Sequence, residues 1–336
     1  MTEKIEGKKT GLIDSWQRQI NYLRISVTDH CNLNCVYCSV SSLPHLSHDD
    51  ILRYEEIEQI VRVAAAMGIK KVRLTGGEPL LRPKLSTLIS MIARIEGIDD
   101  ISLTSNGILL GRYADELKEA GLKRVNVSLD TLKADRFRQI SGRDKLGEVL
   151  AGIEAAHKAG LEPVKTNTVV LRGINDDETI DFARKSISDG WHVRFIEFMS
   201  FGTPGTEALK MVSTQEIRER IQSLGTLEPY TGLTGNGPAR YYRFSGAEGT
   251  IGFITPMTEH FCHSCNRLRI TSDGQLRPCL LAEDEVNIKG PLRNGASPDD
   301  LKNLIQQAVA LKREQHQLSG GIAPETAMRP MCQIGG

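Results

Sequence analysis

Seven cysteines stand in this 336-residue chain, and six of them fall into two triplets. Cys31, Cys35 and Cys38 form a C-x3-C-x2-C pattern within "TDHCNLNCVYCSV", and Cys262, Cys265 and Cys279 form C-x2-C-x13-C within "FCHSCNRLRITSDGQLRPCL". Cys332 stands alone, and none lies between Cys38 and Cys262. Two triplets and a remainder are not a disulfide count. A structural zinc takes four ligands in a closed tetrahedron, whereas three thiolates leave one position open. Iron–sulfur clusters are also held by cysteine thiolates, and three ligands on four irons leave one iron able to chelate another molecule. Zinc and cluster both stand as readings of the spacing. At the second triplet His260 and His263 are the available fourth zinc ligands, although His263 points awkwardly between the two close cysteines.

Charged residues near these cysteines suggest an anion. Arg267 and Arg269 are two apart, so an extended segment puts them on one face. Guanidinium forks suit phosphate or carboxylate, although a solvated edge strand also carries such pairs. Lys71 and Arg73 alternate along "KKVRLT" in the same way, and a charged pair facing a barrel interior favours a ligand.

Six stretches read as strands: Tyr22–Val27, Lys70–Thr75, Asp100–Ser105, Arg124–Leu129, Val164–Val170 and His192–Phe198. Each precedes a helical pattern. In Tyr54–Met67, apolar residues recur at three- and four-residue steps, and Lys84–Ile95, Leu110–Ala120, Leu146–Ala159 and Thr179–Ser188 read alike. Gly68, Gly97, Gly121, Gly160 and Gly190 sit where helix C-caps want a left-handed residue. Serial βα units predict a parallel sheet with right-handed crossovers. Six is short of a closed eight-stranded barrel, so an α/β partial barrel or an open doubly wound sheet is expected. In either, residues after strand C-termini line the site. That places the first triplet, "GGEP" (Gly76–Pro79), "SNG" (Ser105–Gly107) and "SLD" (Ser128–Asp130) around one mouth. Beyond Phe198 the rhythm breaks: a loop, a helix over Ser213–Leu224, hairpins turning at Gly246–Gly249 and Asp273–Gly274, a helix over Asp299–Gln315, and an unpatterned tail "MRPMCQIGG".

The bulk numbers narrow the partners. Lys plus Arg and Asp plus Glu are both 42, so the formal charge is zero, which argues against a general nucleic-acid binder. Apolar residues are 40% and charged residues 25%, as in soluble globular proteins. Without a run of about 20 apolar residues, no membrane span is expected. The polar N-terminus lacks a signal-like apolar region, so a reducing cytoplasmic setting is expected, where cysteine clusters mean metal or catalysis.

The C-x3-C-x2-C pattern after a first strand, with Tyr37 before the third cysteine and "GGEP" after a second strand, resembles the radical S-adenosylmethionine (SAM) superfamily. The second triplet narrows the likeness to the GTP 3′,8-cyclases of molybdenum cofactor biosynthesis. "LRISVTDHCNLNCVYC", "KKVRLTGGEPLLR", "ISLTSNGILL", "RVNVSLDTL", "RFIEFM", "FCHSCNRLRITSDGQLRPCL" and "IGG" carry it from about Leu12 to Gly336. The resemblance implies an incomplete (β/α)6 TIM-like barrel over residues 12–200, closed by an α+β region over 201–336 that carries a second cluster. It implies that Cys31, Cys35 and Cys38 hold a SAM-cleaving [4Fe-4S] cluster, with Tyr37, Gly77, Ser128 and Met199 at SAM. It implies that Cys262, Cys265 and Cys279 hold a second [4Fe-4S] cluster beside the guanine. Arg24, Lys71, Arg73, Thr104, Lys165, Arg267 and Arg269 match positions around GTP. The final Gly335–Gly336, ordinarily a frayed end, would thread into the site.

The implied reaction is that of a radical SAM lyase. A 5′-deoxyadenosyl radical takes hydrogen from C3′ of GTP, and C3′ then bonds to guanine C8 to give 3′,8-cyclo-7,8-dihydro-GTP. An external one-electron donor, a downstream cyclic pyranopterin synthase and a homodimer are the implied partners, with no nucleic acid and no membrane. Cys332 is read as a thiol without a ligand role. Ser39–Val40 stand where relatives often carry Met-Pro, the stretch to Asp50 is short, and Asn266 stands where Thr is common; these leave loop geometry open. A peptide-modifying radical SAM maturase would carry more C-terminal cysteines and no Gly-Gly, and a zinc protein would hold no sulfide.

Overall fold

Alternation along the strands sets the architecture, with one face of the sheet apolar and the other polar. The structure is a computed structural model that describes residues 11–38, 45–200, 206, 208–235, 237–316, 329 and 331–335. Its strands are β1 (Tyr22–Ser26), β2 (Lys71–Thr75), β3 (Asp100–Ser105), β4 (Arg124–Ser128), β5 (Lys165–Val170), β6 (His192–Glu197), β7 (Leu227–Pro229), β8 (Arg240–Phe244), β9 (Thr250–Ile254), β10 (Arg267–Ile270), β11 (Gln275–Arg277) and β12 (Val286–Asn287). They form one sheet in the order β12-β11-β10-β1-β2-β3-β4-β5-β6-β9-β8-β7. The six expected strands are parallel and lie side by side in chain order. The C-terminal region extends this core at both edges, because β10 pairs parallel with β1 and β9 pairs parallel with β6.

Leu23, Ile25, Val72, Leu74, Ile101, Leu103, Val125, Val127, Val193 and Phe195 leave the outer face and are fully or almost fully buried. Each such side chain contributes ~1.5–3 kcal/mol. They pack under α1 (Tyr54–Ala66), α2 (Leu85–Ala93), α3 (Leu110–Glu119), α4 (Ala134–Ser141), α5 (Leu146–Lys158) and α6 (Thr179–Ser188). Residues of the opposite parity, among them Arg24, Arg73, Thr104, Lys165 and Arg194, face the barrel interior. Barrel interiors are ordinarily filled with branched apolar side chains; this one is polar and hollow.

Several boundaries differ from the sequence reading. Helix α4 is unforeseen, since eight residues with only Phe137 and Ile140 as large apolar members show little periodicity. After α7 (Thr214–Ile221) and α8 (Lys289–Arg293), helix α9 (Pro298–Ala310) stops well before Gln315. Beyond it Lys312 turns inward and its ammonium donates to Pro278 O at 2.7 Å, a tertiary contact that ends the helix. The tail is not wholly unpatterned: Met331–Ile334 forms the single turn α10, too short for periodicity to reveal.

Helices α3 and α5 approach closely at a glycine. A Cβ on Gly152 would lie 2.3 Å from Gly107 O and 3.2 Å from Leu110 Cβ. The substitution Gly152→Ala is expected to cost ~1–3 kcal/mol through overpacking. Thermal unfolding followed by circular dichroism should show a melting point lower by several degrees; an unchanged one would refute the tight approach.

Candidate active site

The loop after β1 carries the first triplet, and the glycines after β2 hold it in place. The N–H of Gly77 donates to Thr28 O at 2.7 Å, and that of Glu78 donates to His30 O at 2.7 Å. A Cβ on Gly77 would stand 2.2 Å from His30 O, so only glycine permits this approach. Glu78 is fully buried and extends the tie to β3. Its carboxylate accepts from Leu80 N at 3.0 Å, Ser105 Oγ at 2.9 Å and Asn106 N at 2.7 Å. Burial raises it to about 7, against the pull of those three donors. Asn106 in turn directs Nδ2 to Cys31 Sγ at 3.8 Å, and Leu33 N donates to the same sulfur at 3.5 Å.

Cys31, Cys35 and Cys38 share a cavity of about 1160 Å³, open mouth included, with Tyr37, Gly77, Ser128 and Met199. Burial raises the Cys31 thiol to about 11 and pushes Cys35 higher still. Tyr37 donates its hydroxyl to Asp130 Oδ2 at 2.5 Å, and Val169 N donates to Asp130 Oδ1 at 2.8 Å. Cys332, left without a role by sequence, is buried on the same cavity wall.

Cys262, Cys265 and Cys279 border a second cavity of about 1310 Å³, open mouth included. Among the described residues lining it are seven basic side chains, Arg24, Arg73, Arg124, Lys165, Arg194, Arg267 and Arg269, and no carboxylate. Asp100, just outside, accepts a bidentate pair from Arg124. Burial and the charges of Arg194, Arg124 and Arg73 hold Lys165 down to about 6. Cys265 is the opposite of Cys31: burial raises it, but nearby Arg267 and Lys312 prevail and bring it down to about 6. Arg267 and Lys312 stand 3.6 and 3.4 Å from its sulfur. Arg18 anchors the loop, donating to Cys262 O at 2.7 Å and to Glu314 O at 2.8 Å. The two cavities share a wall of Thr104, Asn167, Ile196, Met199 and Met331.

Gly335 has φ +69°, and Arg269 of the second cavity donates to its carbonyl. A Cβ there would meet Thr75 Cγ2 at 2.5 Å. Gly336 lies outside the described residues, as do Ser39 and Val40. Lys71 differs from expectation. It shares a register row with Tyr22 and Asp100, but as the first residue of β2 it is only half-buried and lines neither cavity. His263 is exposed, exposed His260 engages Pro256 O at 2.8 Å, and among the described residues neither gathers with two of these cysteines within 4.8 Å. Sequence reasoning missed Arg124, Arg194, Asn167 and His316, all on the cavity wall. The first two carry the same inward parity in their strands as Arg73 does in β2, the one local signal available.

Neither triplet is gathered as closely as a single zinc ion would hold it. A tetrahedral zinc with ~2.3 Å bonds draws its sulfurs to ~3.8 Å; neither triplet gathers its three sulfurs within 4.8 Å. Buried Arg194 Nε, Asn167 Oδ1 and His316 Nδ1 have no protein partner among the described residues and stand ready for a polar ligand.

Residues 25–185 match the family model described as the radical SAM superfamily, and residues 191–318 match that of Molybdenum Cofactor Synthesis C. A GTP 3′,8-cyclase of Moorella thermoacetica is 52% identical over 324 residues, covering 96% of this chain and 99% of that one. A GTP 3′,8-cyclase of Pelotomaculum thermopropionicum is 52% identical over 329 residues, with the same coverage of 96% and 99%. Among solved structures, Streptococcus suis SuiB bound to S-adenosylmethionine aligns with a TM-score of 0.61 at 15% identity. It covers 80% of this chain and 63% of that one, a likeness of fold.

Glu78→Gln tests the tie behind the first triplet. The amide would face a backbone N–H with a donor, leaving one buried group unsatisfied at ~1–3 kcal/mol. Iron loading of the first site and the melting temperature should both fall; unchanged values of both would mean that Glu78 does not hold the loop.

Proposed function

Given that the chain belongs to the GTP 3′,8-cyclase family of radical SAM enzymes, we propose how its two cavities divide that reaction. The enzyme converts GTP to (8S)-3′,8-cyclo-7,8-dihydroguanosine 5′-triphosphate, a step of molybdenum cofactor biosynthesis. Cys31, Cys35 and Cys38 would hold a [4Fe-4S] cluster, with SAM beside Tyr37, Gly77, Ser128 and Met199. When bound there, cluster and SAM supply the 5′-deoxyadenosyl radical. Cys262, Cys265 and Cys279 would hold a second cluster at the guanine end of GTP.

The observation that carries the division is the seven-cation cavity joined by a shared wall to the thiol cavity. A triphosphate needs such a set, and bidentate guanidinium contacts fix its orientation. Arg24, Arg73, Lys165 and Arg269 would take the phosphates, with Arg124 and Arg194 added to the set first expected. Thr104, on both cavities, would lie near the ribose. Lys71 is left out of the binding set. Met199 and Met331 line both cavities at their boundary, and a side chain at Gly335 would collide with Thr75. An external one-electron donor and an enzyme that accepts the product complete the reading. Among the described residues no helix is long and apolar enough to cross a membrane.

The test is anaerobic: reconstituted protein with SAM, GTP and dithionite, with iron and sulfide counted on the same sample. About eight irons per chain, as two four-iron clusters require, together with GTP-dependent 5′-deoxyadenosine, are expected. 5′-Deoxyadenosine that ignores GTP would sink the cyclase assignment, and zinc without sulfide would sink the cluster assignment as well.

Lys165 gives a second test. Held down to about 6 in the free protein, it is mostly neutral at pH 7. A bound polyanion reverses the sign of its surroundings and raises it, so binding takes up a proton. Calorimetry of GTP binding at pH 7 should show an enthalpy that depends on the buffer's ionisation enthalpy, and Lys165→Met should abolish that dependence. A buffer-independent enthalpy in the parent protein would remove Lys165 from the phosphate site.

A further inference from the structure

Asp29, His30 and His45 bring one donor atom each within 4.8 Å of one another, at a place neither cavity uses. Asp29 is 2% exposed, and its carboxylate is only half satisfied. Oδ2 accepts from Leu46 N at 2.8 Å, while Oδ1 is buried with no hydrogen-bond partner. His30 Nε2 stands 3.8 Å from Oδ1, and His45 Nδ1 stands 3.6 Å from Oδ2. The imidazoles stack with centroids 4.2 Å apart and planes 16° apart; an ion shared by both must lie near each ring plane, so binding requires one of these exposed rings to turn. Donors bound ~2.0–2.1 Å from a tetrahedral zinc stand ~3.3 Å apart. The two histidine-to-carboxylate separations are within half an ångström of that, each to a different oxygen of Asp29.

We propose that Asp29, His30 and His45 form a binding site for one divalent transition-metal ion of the zinc class. Two imidazoles and a carboxylate suit such an ion, with water in the fourth position. A buried carboxylate oxygen without a partner is costly on its own, and a cation facing it removes that cost. The backbone of His30 is already fixed, its N–H donating to Thr28 Oγ1 at 3.2 Å and its carbonyl accepting from Glu78 N at 2.7 Å. His45 enters from the segment that leads into α1. A metal joining them closes a loop whose chain carries Cys31, Cys35 and Cys38, which limits how far the first triplet can open. Loop closure of this kind stabilises mainly by restricting the open chain.

The test reads metal, not turnover. Cluster-loaded protein is incubated anaerobically with one equivalent of zinc chloride and desalted, and zinc and iron are counted by mass spectrometry. About one retained zinc per chain is expected, with iron unchanged and a zinc X-ray absorption spectrum of nitrogen and oxygen neighbours only. His45→Gln alters a side chain 41% exposed, so it should fold as the parent does. It should lower retained zinc at least ~10-fold, since one of three protein ligands is gone. His30→Gln should do the same. Equal zinc in parent and variants, no zinc in the parent, or sulfur in the zinc shell would each overturn the proposal.

Discussion

Arg269, Arg24 and Arg73 occupy neighbouring places in one register row of the sheet, across β10, β1 and β2. Adjacent strands are ~4.8 Å apart, so three guanidinium stems rise side by side into one cavity. Like charges at about 5 Å repel by roughly 3 kcal/mol at an effective dielectric near 20. The protein offsets part of this. Arg73 donates to Ser102 Oγ and lies over the Tyr22 ring at 5.6 Å, while Arg269 donates to Gly335 O. In the proposed reading, the triphosphate of GTP supplies the opposing charge. Much of the design follows: a hollow barrel, a polar inner face, and a C-terminal strand returned to the first one.

The two thiol sites are electrostatically unlike. The first lies among glycines and amides, where burial above all, with Glu78 and Cys332 adding to it, raises Cys31. The second lies against Arg267 and Lys312, which overcome burial at Cys265. A cluster held in the second site, as proposed, would therefore have its charge compensated by the same region that would face the phosphates. Between the two stand methionines, whose unbranched side chains fill an irregular boundary without offering it strong polar groups.

The cysteine triplets, the "GGEP" turn and the six strands were legible because each is a local pattern. Spacing within a short segment reports on chemistry, and alternation reports on faces. What escaped was everything that depends on register between distant strands. Arg124 and Arg194 look like ordinary strand residues until β4 and β6 are set beside their neighbours. Lys71 has the parity of Arg73 and shares a register row with Tyr22 and Arg267, which line the cavity, yet it is half-buried and lines neither cavity, an outcome that parity does not encode. The edge strands β9 and β10 read as hairpin arms, and only tertiary pairing makes each of them also a parallel partner of the barrel. Helix α4 and the turn at Met331–Ile334 were too short for their pattern to rise above the background.

The placement of β1 has a consequence for the order of assembly. One of its edges meets β2 within about fifty residues of chain, but the other meets β10, roughly 245 residues later. At ~5–20 residues per second of synthesis, that second edge stays unpaired for tens of seconds after the first is ready. Long-range parallel pairings also close slowly, because the chain between them must be ordered first. The loop that bears the first cysteine triplet is thus among the earliest parts made and among the last to gain its full surroundings, and during that interval its thiols and the open strand edge are the most vulnerable surfaces of the nascent chain.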